Sequence, residues 1–234
     1  MRIVTCVNGA HSELAENLLL SLKNLGLKKN LVIHCLDSES YDRLSAIHDS
    51  CVLFCENESS ADCDYGTKEF NDLTMQKMLI HEKELDEGNS FLFTDVDVFF
   101  FRDPTQYLNE ALEKHPQVNI IFTSDDPGTP LCSGFAYYKN TDDTKRVIRD
   151  TISSMNSGSG PDWWCDQNYI IDVIQQGWCT FGILPRSLFP NGSWLFNEGK
   201  ELGDAYMMHA NYVVGRKNKI DKLKEYGGWL LETV

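Results

Sequence analysis

Two carboxylates, Asp95 and Asp97, stand in the middle of an otherwise almost wholly apolar run, residues 91–101. A run this hydrophobic, with a Gly-Asn pair before it and an Asp-Pro pair after it, predicts a buried central strand. Because alternate residues of a strand project from one face, both carboxylates are expected to point the same way. Two like charges inside a core are costly unless a proton or a cation compensates them, and a divalent metal ion does so. The run therefore predicts a metal site; the alternative is a strand edge where both side chains emerge into solvent.

The chain is strongly acidic. Its 234 residues include 35 Asp and Glu against 21 Lys and Arg, which gives a formal net charge of −14. A field of this sign opposes binding to nucleic acid or to an anionic membrane, so we expect neither as a partner. An anionic ligand would need local compensation, by a metal ion or by clustered Lys and Arg.

The sequence shows no membrane-spanning or secretory pattern. Its first residues enter a strand-like run without the apolar h-region of a signal peptide, and no stretch reaches about 18 consecutive apolar residues. The eight cysteines contain no Cys-x-x-Cys pair and are expected to be free thiols in a reducing compartment. We expect a cytoplasmic protein; a Golgi-lumenal domain is the alternative if the chain is a fragment.

Strand-like and helix-like segments alternate along the chain. Besides the central run, strands are predicted at residues 3–7, 31–36, 51–55, 118–123, 135–139 and 179–184. Helices are predicted at residues 12–25, 41–48, 67–85, 106–114, 145–155, 166–176 and 217–226, with a mobile loop at 156–161 and irregular chain at 185–204. This order predicts an α/β fold in one domain, with a mostly parallel central sheet flanked by helices.

Polar residues fall at the carboxyl ends of the predicted strands, where sheets of this kind bind ligands. They are Asn8, Asp95, Asp97 and Asp125. No Gly-x-Gly-x-x-Gly follows the first strand and no P-loop is present. A phosphate-bearing ligand would therefore depend on a metal ion rather than on a glycine-rich cradle.

A set of short motifs, in a fixed order, resembles one enzyme family. The motifs are YGTKEF (65–70), Lys77, TDVDV (94–98) with RDP (102–104), SGF (133–135), DQN (166–168), LFPNG (188–192) and HANY (209–212). Together they resemble the nucleotide-diphospho-sugar transferases related to the plant rhamnogalacturonan xylosyltransferases and, more distantly, the glycogenin-like enzymes. The resemblance covers residues 2–230 and implies a Rossmann-like GT-A fold over residues 1–234. Its nucleotide-binding half would be residues 1–125 and its acceptor-binding half residues 126–234.

The resemblance implies a metal site of three residues. Asp97 and His209 would bind the ion directly, and Asp95 would face both the ion and the ribose. Carboxylates with an imidazole suit Mn²⁺, with Mg²⁺ as a substitute. Without the resemblance, a core histidine that follows an apolar stretch is the favoured interpretation of His209.

The resemblance also implies where the nucleotide sugar would bind. The implied residues are Thr5, Asn8, Lys77, Asp95, Val96, Asp125, Asp126, Ser133, Gly134, Gly215 and Lys217. Thr5 and Asn8 would meet the nucleoside, and Lys77 would contact the donor unless it is a surface lysine. In the basic run 215–219 a lysine would meet the diphosphate, with Lys217 our choice and the register open. For any single residue of this run, a position on a solvated helix face is the favoured alternative.

Asp166 and Gln167 resemble the Asp-Gln pair beside the donor sugar of related retaining enzymes, and they are the implied catalytic residues. Asp166 could instead cap the helix that begins there. If the enzyme inverts configuration, Asp166 or Asp126 becomes the candidate general base. Cys132 stands where many relatives carry asparagine.

The implied function is transfer of a sugar from a UDP-sugar to a hydroxyl of a glycan or other acceptor, with a metal ion and with retention. The alternatives are a non-catalytic nucleotide-sugar-binding module and another metal-dependent enzyme of sugar nucleotides. Trp163, Trp164 and Trp194 lie near predicted loops and are candidates for stacking on an acceptor sugar, although tryptophan is more often a core residue.

Overall fold

The computed structural model describes residues 1–54, 67–126, 128, 131–161 and 163–231. Its strands are β1 (Arg2–Val7), β2 (Leu31–Cys35), β3 (Cys51–Leu53), β4 (Phe91–Thr94), β5 (Val98–Phe100), β6 (Ile120–Thr123), β7 (Cys132–Tyr138), β8 (Phe181–Leu184) and β9 (Met207–His209). Its α-helices are α1 (Ser12–Asn24), α2 (Ser38–Ser45), α3 (Lys68–Asp86), α4 (Thr105–Lys114), α5 (Asp142–Ser157), α6 (Asp166–Gln175) and α7 (Arg216–Glu225). Cys55 of the predicted third strand, and Tyr65 and Gly66 of the YGTKEF motif, lie outside the described residues.

Seven strands form one sheet in the order β3-β2-β1-β4-β7-β6-β8. Only β7 runs antiparallel to its neighbours β4 and β6; the other pairings are parallel. Successive residues of β1 enter opposite cores, Ile3 with Leu18 and Leu22 of α1, and Val4 with Met78 of α3. Both faces of the sheet are thus covered, which explains the continuous apolar runs of its strands. The predicted α/β architecture is confirmed.

The apolar run 91–101 is two strands, not the single strand that its hydrophobicity predicted. Strand β4 ends at Thr94, a turn follows, and β5 leaves the main sheet to pair with β9 in a two-stranded sheet. Asp95 and Asp97 lie in that turn. The expected alternation along one strand is therefore wrong, and the turn at the carboxyl end of β4 is what brings the two carboxylates together.

The six described cysteines are free thiols. Among the described residues, no helix combines the length and the apolar composition needed to cross a bilayer.

The carboxyl-terminal part of α3 is fixed to the sheet by one buried carboxylate, Glu84. Its oxygens accept hydrogen bonds from Arg2 Nε at 2.7 Å and Arg2 Nη2 at 2.9 Å, and from Asn89 Nδ2 at 2.8 Å. His34 Nε2 of β2 lies 3.0 Å from the same carboxylate. Burial alone would raise the pKa of Glu84, but the hydrogen bonds from His34 and Arg2 outweigh it and lower the pKa to about 2.

We expect Glu84 to make stability depend on pH. Because its pKa is lower in the folded chain than in the unfolded chain, its contribution is present above the unfolded pKa and is lost as the pH falls towards 2. The difference corresponds to about 3 kcal/mol. In urea unfolding, wild type should exceed Glu84→Gln by about this amount at pH 7, and the gap should close near pH 2. A gap that stays constant with pH would contradict the assignment.

Candidate active site

Three candidate metal ligands converge at the edge of the main sheet. Asp95 and Asp97 come from the turn after β4. His209 is the last residue of β9, and the strand register pairs it with Val98 of β5. One ligand atom from each of the three lies within 4.8 Å of the others. His209 Nε2 is 3.1 Å from Asp97 Oδ1 and 3.7 Å from Asp95 Oδ2. Asp97 and His209 are buried, whereas Asp95 is partly open to solvent.

The electrostatics of the cluster keep Asp97 ionised. Burial would raise the pKa of Asp97, but the charges of Lys219 and His209 hold it well below its usual value. Burial would likewise lower the pKa of His209, yet Asp97 raises it well above the usual value. Two carboxylates and an imidazole that face one point are a donor set that fits Mn²⁺ or Mg²⁺.

Because Gly134 of β7 has no side chain, the space beside it is occupied by two of the candidate ligands, Asp95 and His209. A Cβ atom at this position would lie 2.4 Å from Asp95 Oδ2 and 2.5 Å from His209 Cε1. The backbone of the same glycine accepts a hydrogen bond from the Asp95 N–H at 2.7 Å. Any side chain here would displace two of the three candidate ligands.

Lys77 of α3 is buried within the site and is not a surface lysine. Its Nζ lies 2.7 Å from Asp166 Oδ2 and 3.8 Å from Asp95 Oδ1, and it donates a hydrogen bond to Ser133 Oγ at 3.1 Å. Burial would lower the pKa of Lys77, but Asp166 and Asp95 raise it well above the usual value. One ammonium group therefore joins a candidate catalytic residue to a candidate metal ligand.

Asp166 and Gln167 occupy the first turn of α6. Cys165 is the N-cap residue, so Asp166 is not the cap that the sequence allowed. The Gln167 amide joins two neighbours, because its Nε2 donates to Asp125 Oδ2 at 3.2 Å and its Oε1 accepts from the Ser133 N–H at 3.1 Å. The structure thus brings together the residues predicted to surround the donor sugar.

Three residues that sequence reasoning did not select converge on Asp125. Asn191 Nδ2 and Asn211 Nδ2 contact Asp125 Oδ1 at 3.3 Å and 3.1 Å. The Tyr212 hydroxyl donates to Asp125 Oδ2 at 3.0 Å and to Asp126 Oδ2 at 2.7 Å. Tyr212 has a φ of 60° and is, among the described residues, the one non-glycine with positive φ. Such backbone strain is commonest at functional sites. All three residues belong to the motifs LFPNG and HANY, so membership of these motifs could have indicated them.

Cys132 lies behind the histidine of the cluster. Its Sγ is 3.9 Å from His209 Nδ1 and 3.8 Å from Asn211 Nδ2. Because His209 meets Asp97 through the other ring nitrogen, Cys132 supports the ring from the side away from the carboxylates.

In the basic run 215–219, the structure brings Lys219 rather than Lys217 to the carboxylates. Lys219 Nζ lies 2.7 Å from Asp97 Oδ2. Lys217 is exposed and pairs with Asp221 on its own helix at 2.6 Å. Gly215 precedes α7 with a φ of +83°, so its contribution is to the backbone that starts this helix.

The predicted nucleoside-binding residues lie at the carboxyl end of β1, beside β4. Thr5 and Asn8 are buried, and Asn8 Oδ1 lies 2.8 Å from His11 Nδ1. Thr5 Oγ1 is buried with no hydrogen-bond partner among the described residues. Val96, between the two aspartates, is half-buried and packs against apolar residues of the core.

The fold, a mostly parallel α/β sheet with an Asp-x-Asp turn after β4, is that of GT-A glycosyltransferases. Solved structures share the fold. The galactosyltransferase LgtC superposes with a TM-score of 0.62 at 11% identity, over 100% of this chain and 98% of LgtC. Mouse xyloside xylosyltransferase 1 superposes with a TM-score of 0.57 at 11% identity, over 90% and 97% of the two chains.

The chain belongs to the nucleotide-diphospho-sugar transferase family, whose model matches residues 26–223. A UDP-galactose:fucoside alpha-3-galactosyltransferase of Dictyostelium discoideum is 22% identical over 98% of this chain and 43% of its own length. In Arabidopsis thaliana, the beta-arabinofuranosyltransferase RAY1 is 27% identical over 86% of this chain and 42% of its own length. A UDP-D-xylose:L-fucose alpha-1,3-D-xylosyltransferase of the same plant is 23% identical over 72% of this chain and 52% of its own length. The chain spans about half the length of these curated relatives.

Proposed function

We propose that this protein is a metal-dependent glycosyltransferase that moves a sugar from a UDP-sugar to a hydroxyl of a glycan. The observation that carries the proposal is the convergence of Asp95, Asp97 and His209, flanked by Lys77 and Lys219, at the edge of a GT-A sheet. The names of the relatives in Dictyostelium and Arabidopsis specify UDP-galactose and UDP-D-xylose as donors, which supports UDP as the nucleotide.

The charges of the site suit a diphosphate leaving group. A divalent ion held by Asp95, Asp97 and His209 would supply Lewis-acid stabilisation of the charge on that group. Lys219 Nζ, beside Asp97, adds a cation from the opposite part of the chain. Both proposed halves therefore contribute to binding the diphosphate, the aspartates from residues 1–125, and His209 with Lys219 from residues 126–234.

The arrangement around Asp166 favours retention. Transfer with inversion needs a carboxylate that can accept the acceptor's proton. Asp166 is already paired with the Lys77 ammonium at 2.7 Å, and Asp126 accepts the Tyr212 hydroxyl at 2.7 Å. We therefore assign Asp166 and Gln167 to orienting the sugar and stabilising positive charge at the reacting carbon. Asp125, which accepts hydrogen bonds from several amides and a hydroxyl, is assigned to holding Gln167 and Tyr212 in position around the sugar.

A fucosyl glycan is the first acceptor class to test. The Dictyostelium relative is named for a fucoside acceptor and the Arabidopsis xylosyltransferases for L-fucose. These relatives differ in donor sugar but agree in the sugar that receives it. This agreement supports a 6-deoxyhexose acceptor more strongly than it supports any one donor.

The decisive experiment is calorimetric titration of UDP into the protein with Mn²⁺ present and again after chelation. We expect binding that requires the metal, followed by turnover of UDP-galactose or UDP-xylose on a fucoside panel. Absence of UDP binding under both conditions would contradict the UDP-sugar proposal. Equal binding with and without Mn²⁺ would contradict the metal site, and binding without transfer or hydrolysis across the panel would favour a non-catalytic module.

Lys219 and Lys217 form a matched pair of variants on one helix. Lys219→Ala should weaken UDP binding in Mn²⁺ about 30-fold, because a charge-assisted hydrogen bond contributes about 2 kcal/mol. Lys217→Ala should leave the dissociation constant within about twofold, since exposed pairs such as Lys217–Asp221 contribute little. Equal losses in the two variants would show that α7 acts through its overall charge instead.

A further inference from the structure

An open groove runs along the solvent face of α6. It has a volume of about 290 Å³. Its lining residues are Trp163, Trp164, Asn168, Ile171, Asp172 and Gln175. The last four recur at the spacing of one helix face, opposite the buried face of α6.

Trp163 is displayed on this surface rather than packed in the core. Its exposed fraction is 55%, and it is the one tryptophan among the large apolar side chains exposed in the described part of the chain. Trp164 beneath it is fixed in place, with its ring edge-on to Tyr169 at 5.1 Å and packed so closely on Gly160 that a Cβ there would clash. The third candidate, Trp194, packs in an apolar cluster under Arg186. Exposing a large ring costs free energy that a bound ligand would recover.

The groove begins next to the candidate active site along α6, because its lining residue Asn168 directly follows Gln167. Asp166 and Gln167, at the start of this helix, contact Lys77 and Asp125. From Asn168 to Gln175 the groove follows about 10 Å of helix away from that end. A chain molecule that leaves the reacting carbon over the solvent face of α6 would lie along it.

We propose that this groove is a subsite for an acceptor glycan, in which a pyranose ring remote from the reacting hydroxyl stacks on Trp163. The proposal rests on the function proposed above and specifies an acceptor of more than one sugar unit. The apolar face of a sugar ring matches an exposed indole, and the Gln175 amide and the Asn168 Nδ2 group match its hydroxyls. The Asn168 Oδ1 already accepts a hydrogen bond from the Cys165 N–H.

The residues that line the groove disfavour binding of the other substrate, the nucleotide sugar. Among the described residues, the lining contains one carboxylate, Asp172, and no lysine or arginine, so a diphosphate would meet no compensating charge from them. Its volume, near the lower end of the roughly 300–1,000 Å³ found for small-molecule sites, suits a single ring. The donor thus belongs to the Asp–His cluster and the acceptor extension to the groove.

The test compares wild type, Trp163→Ala, Trp163→Phe and Ile47→Ala on an array of printed mono-, di- and trisaccharides, with UDP and MnCl₂ present. Ile47 is a comparably exposed apolar residue on another part of the surface. Trp163→Ala should weaken binding of di- and trisaccharides about tenfold and leave monosaccharides unchanged, because stacking is the contact removed. Trp163→Phe should restore most of the signal, and Ile47→Ala should behave as wild type.

UDP titration of the same four proteins separates the two proposals. Unchanged UDP affinity with a loss restricted to longer glycans supports the subsite. Failure of wild type to bind any printed glycan, or an equal loss for monosaccharides, would overturn the subsite and leave the donor site standing. Glycan binding that depends on Trp163 in a protein that does not bind UDP would support the groove and overturn the proposed transferase.

Discussion

Replacement of Asp97 by alanine is expected to abolish metal-dependent UDP binding and to lower kcat/KM for sugar transfer by about a thousandfold, or roughly 4 kcal/mol. Asp97 is the carboxylate on which the site depends most, because it faces both His209 at 3.1 Å and Lys219 at 2.7 Å. Its removal deletes one of three candidate ligands and leaves the Lys219 ammonium and the His209 imidazole without their shared partner. The measurement is calorimetric titration of UDP in Mn²⁺, with turnover of the UDP-sugar that wild type accepts.

Asp221→Ala is the matched control. Asp221 is an exposed aspartate that pairs with Lys217 on α7, so its loss changes the net charge equally without touching the cluster. It should bind UDP as wild type does. If Asp97→Ala bound UDP as tightly as this control, the Asp–His cluster would have no part in holding the diphosphate.

The chemistry of the site was predictable from the sequence, but its geometry was not. An apolar run broken by Asp95 and Asp97 predicts compensated charge at a strand end, and that holds whether the run is one strand or two. The division of the run depends on β5 pairing with β9, which lies more than a hundred residues further along the chain. Hydrophobicity is a local signal and carries no information on such a partner.

The sequence contained enough information to choose Lys219 over Lys217 as the lysine that reaches the carboxylates. Leu223 is buried, and residues four apart share a helix face, so Lys219 lies on the inward face of α7. Lys217 shares its face with Asp221 instead, which makes it a partner in a surface pair. The buried face of a helix therefore indicates which of several neighbouring lysines can reach a site.

Other features follow from packing alone. Tyr212 takes a left-handed backbone that bulky residues rarely adopt, and its hydroxyl reaches both Asp125 and Asp126. No propensity predicts this conformation, because the surrounding contacts determine it.

The start of α5 is different, since Thr141 caps it through a hydrogen bond from the Thr144 N–H at 3.2 Å. That cap extends the helix to Asp142, ahead of the predicted residue 145, and the sequence contained its signal.

Gly134→Ala is expected to weaken UDP binding in Mn²⁺ about 100-fold, the upper range for changes that misplace metal ligands without removing them. The added methyl group would lie 2.4 Å from Asp95 Oδ2 and 2.5 Å from His209 Cε1, so both side chains must move. Neither ligand is altered chemically. A loss of affinity would therefore measure the position of the ligands rather than their charge.

Gly182→Ala on β8 provides the comparison that isolates this effect. Both glycines lie in strands of the same sheet and neither has a positive φ, so the gain in backbone stiffness is similar in the two variants. At Gly182 the nearest atoms to a new Cβ are 3.7 Å and 3.8 Å away, which is ordinary van der Waals contact. Urea unfolding should show Gly182→Ala folded normally, and its UDP affinity should equal that of wild type. If Gly134→Ala also bound UDP and Mn²⁺ as wild type does, Asp95 and His209 could not be the groups that hold the ion, since the methyl group cannot be accommodated without displacing them.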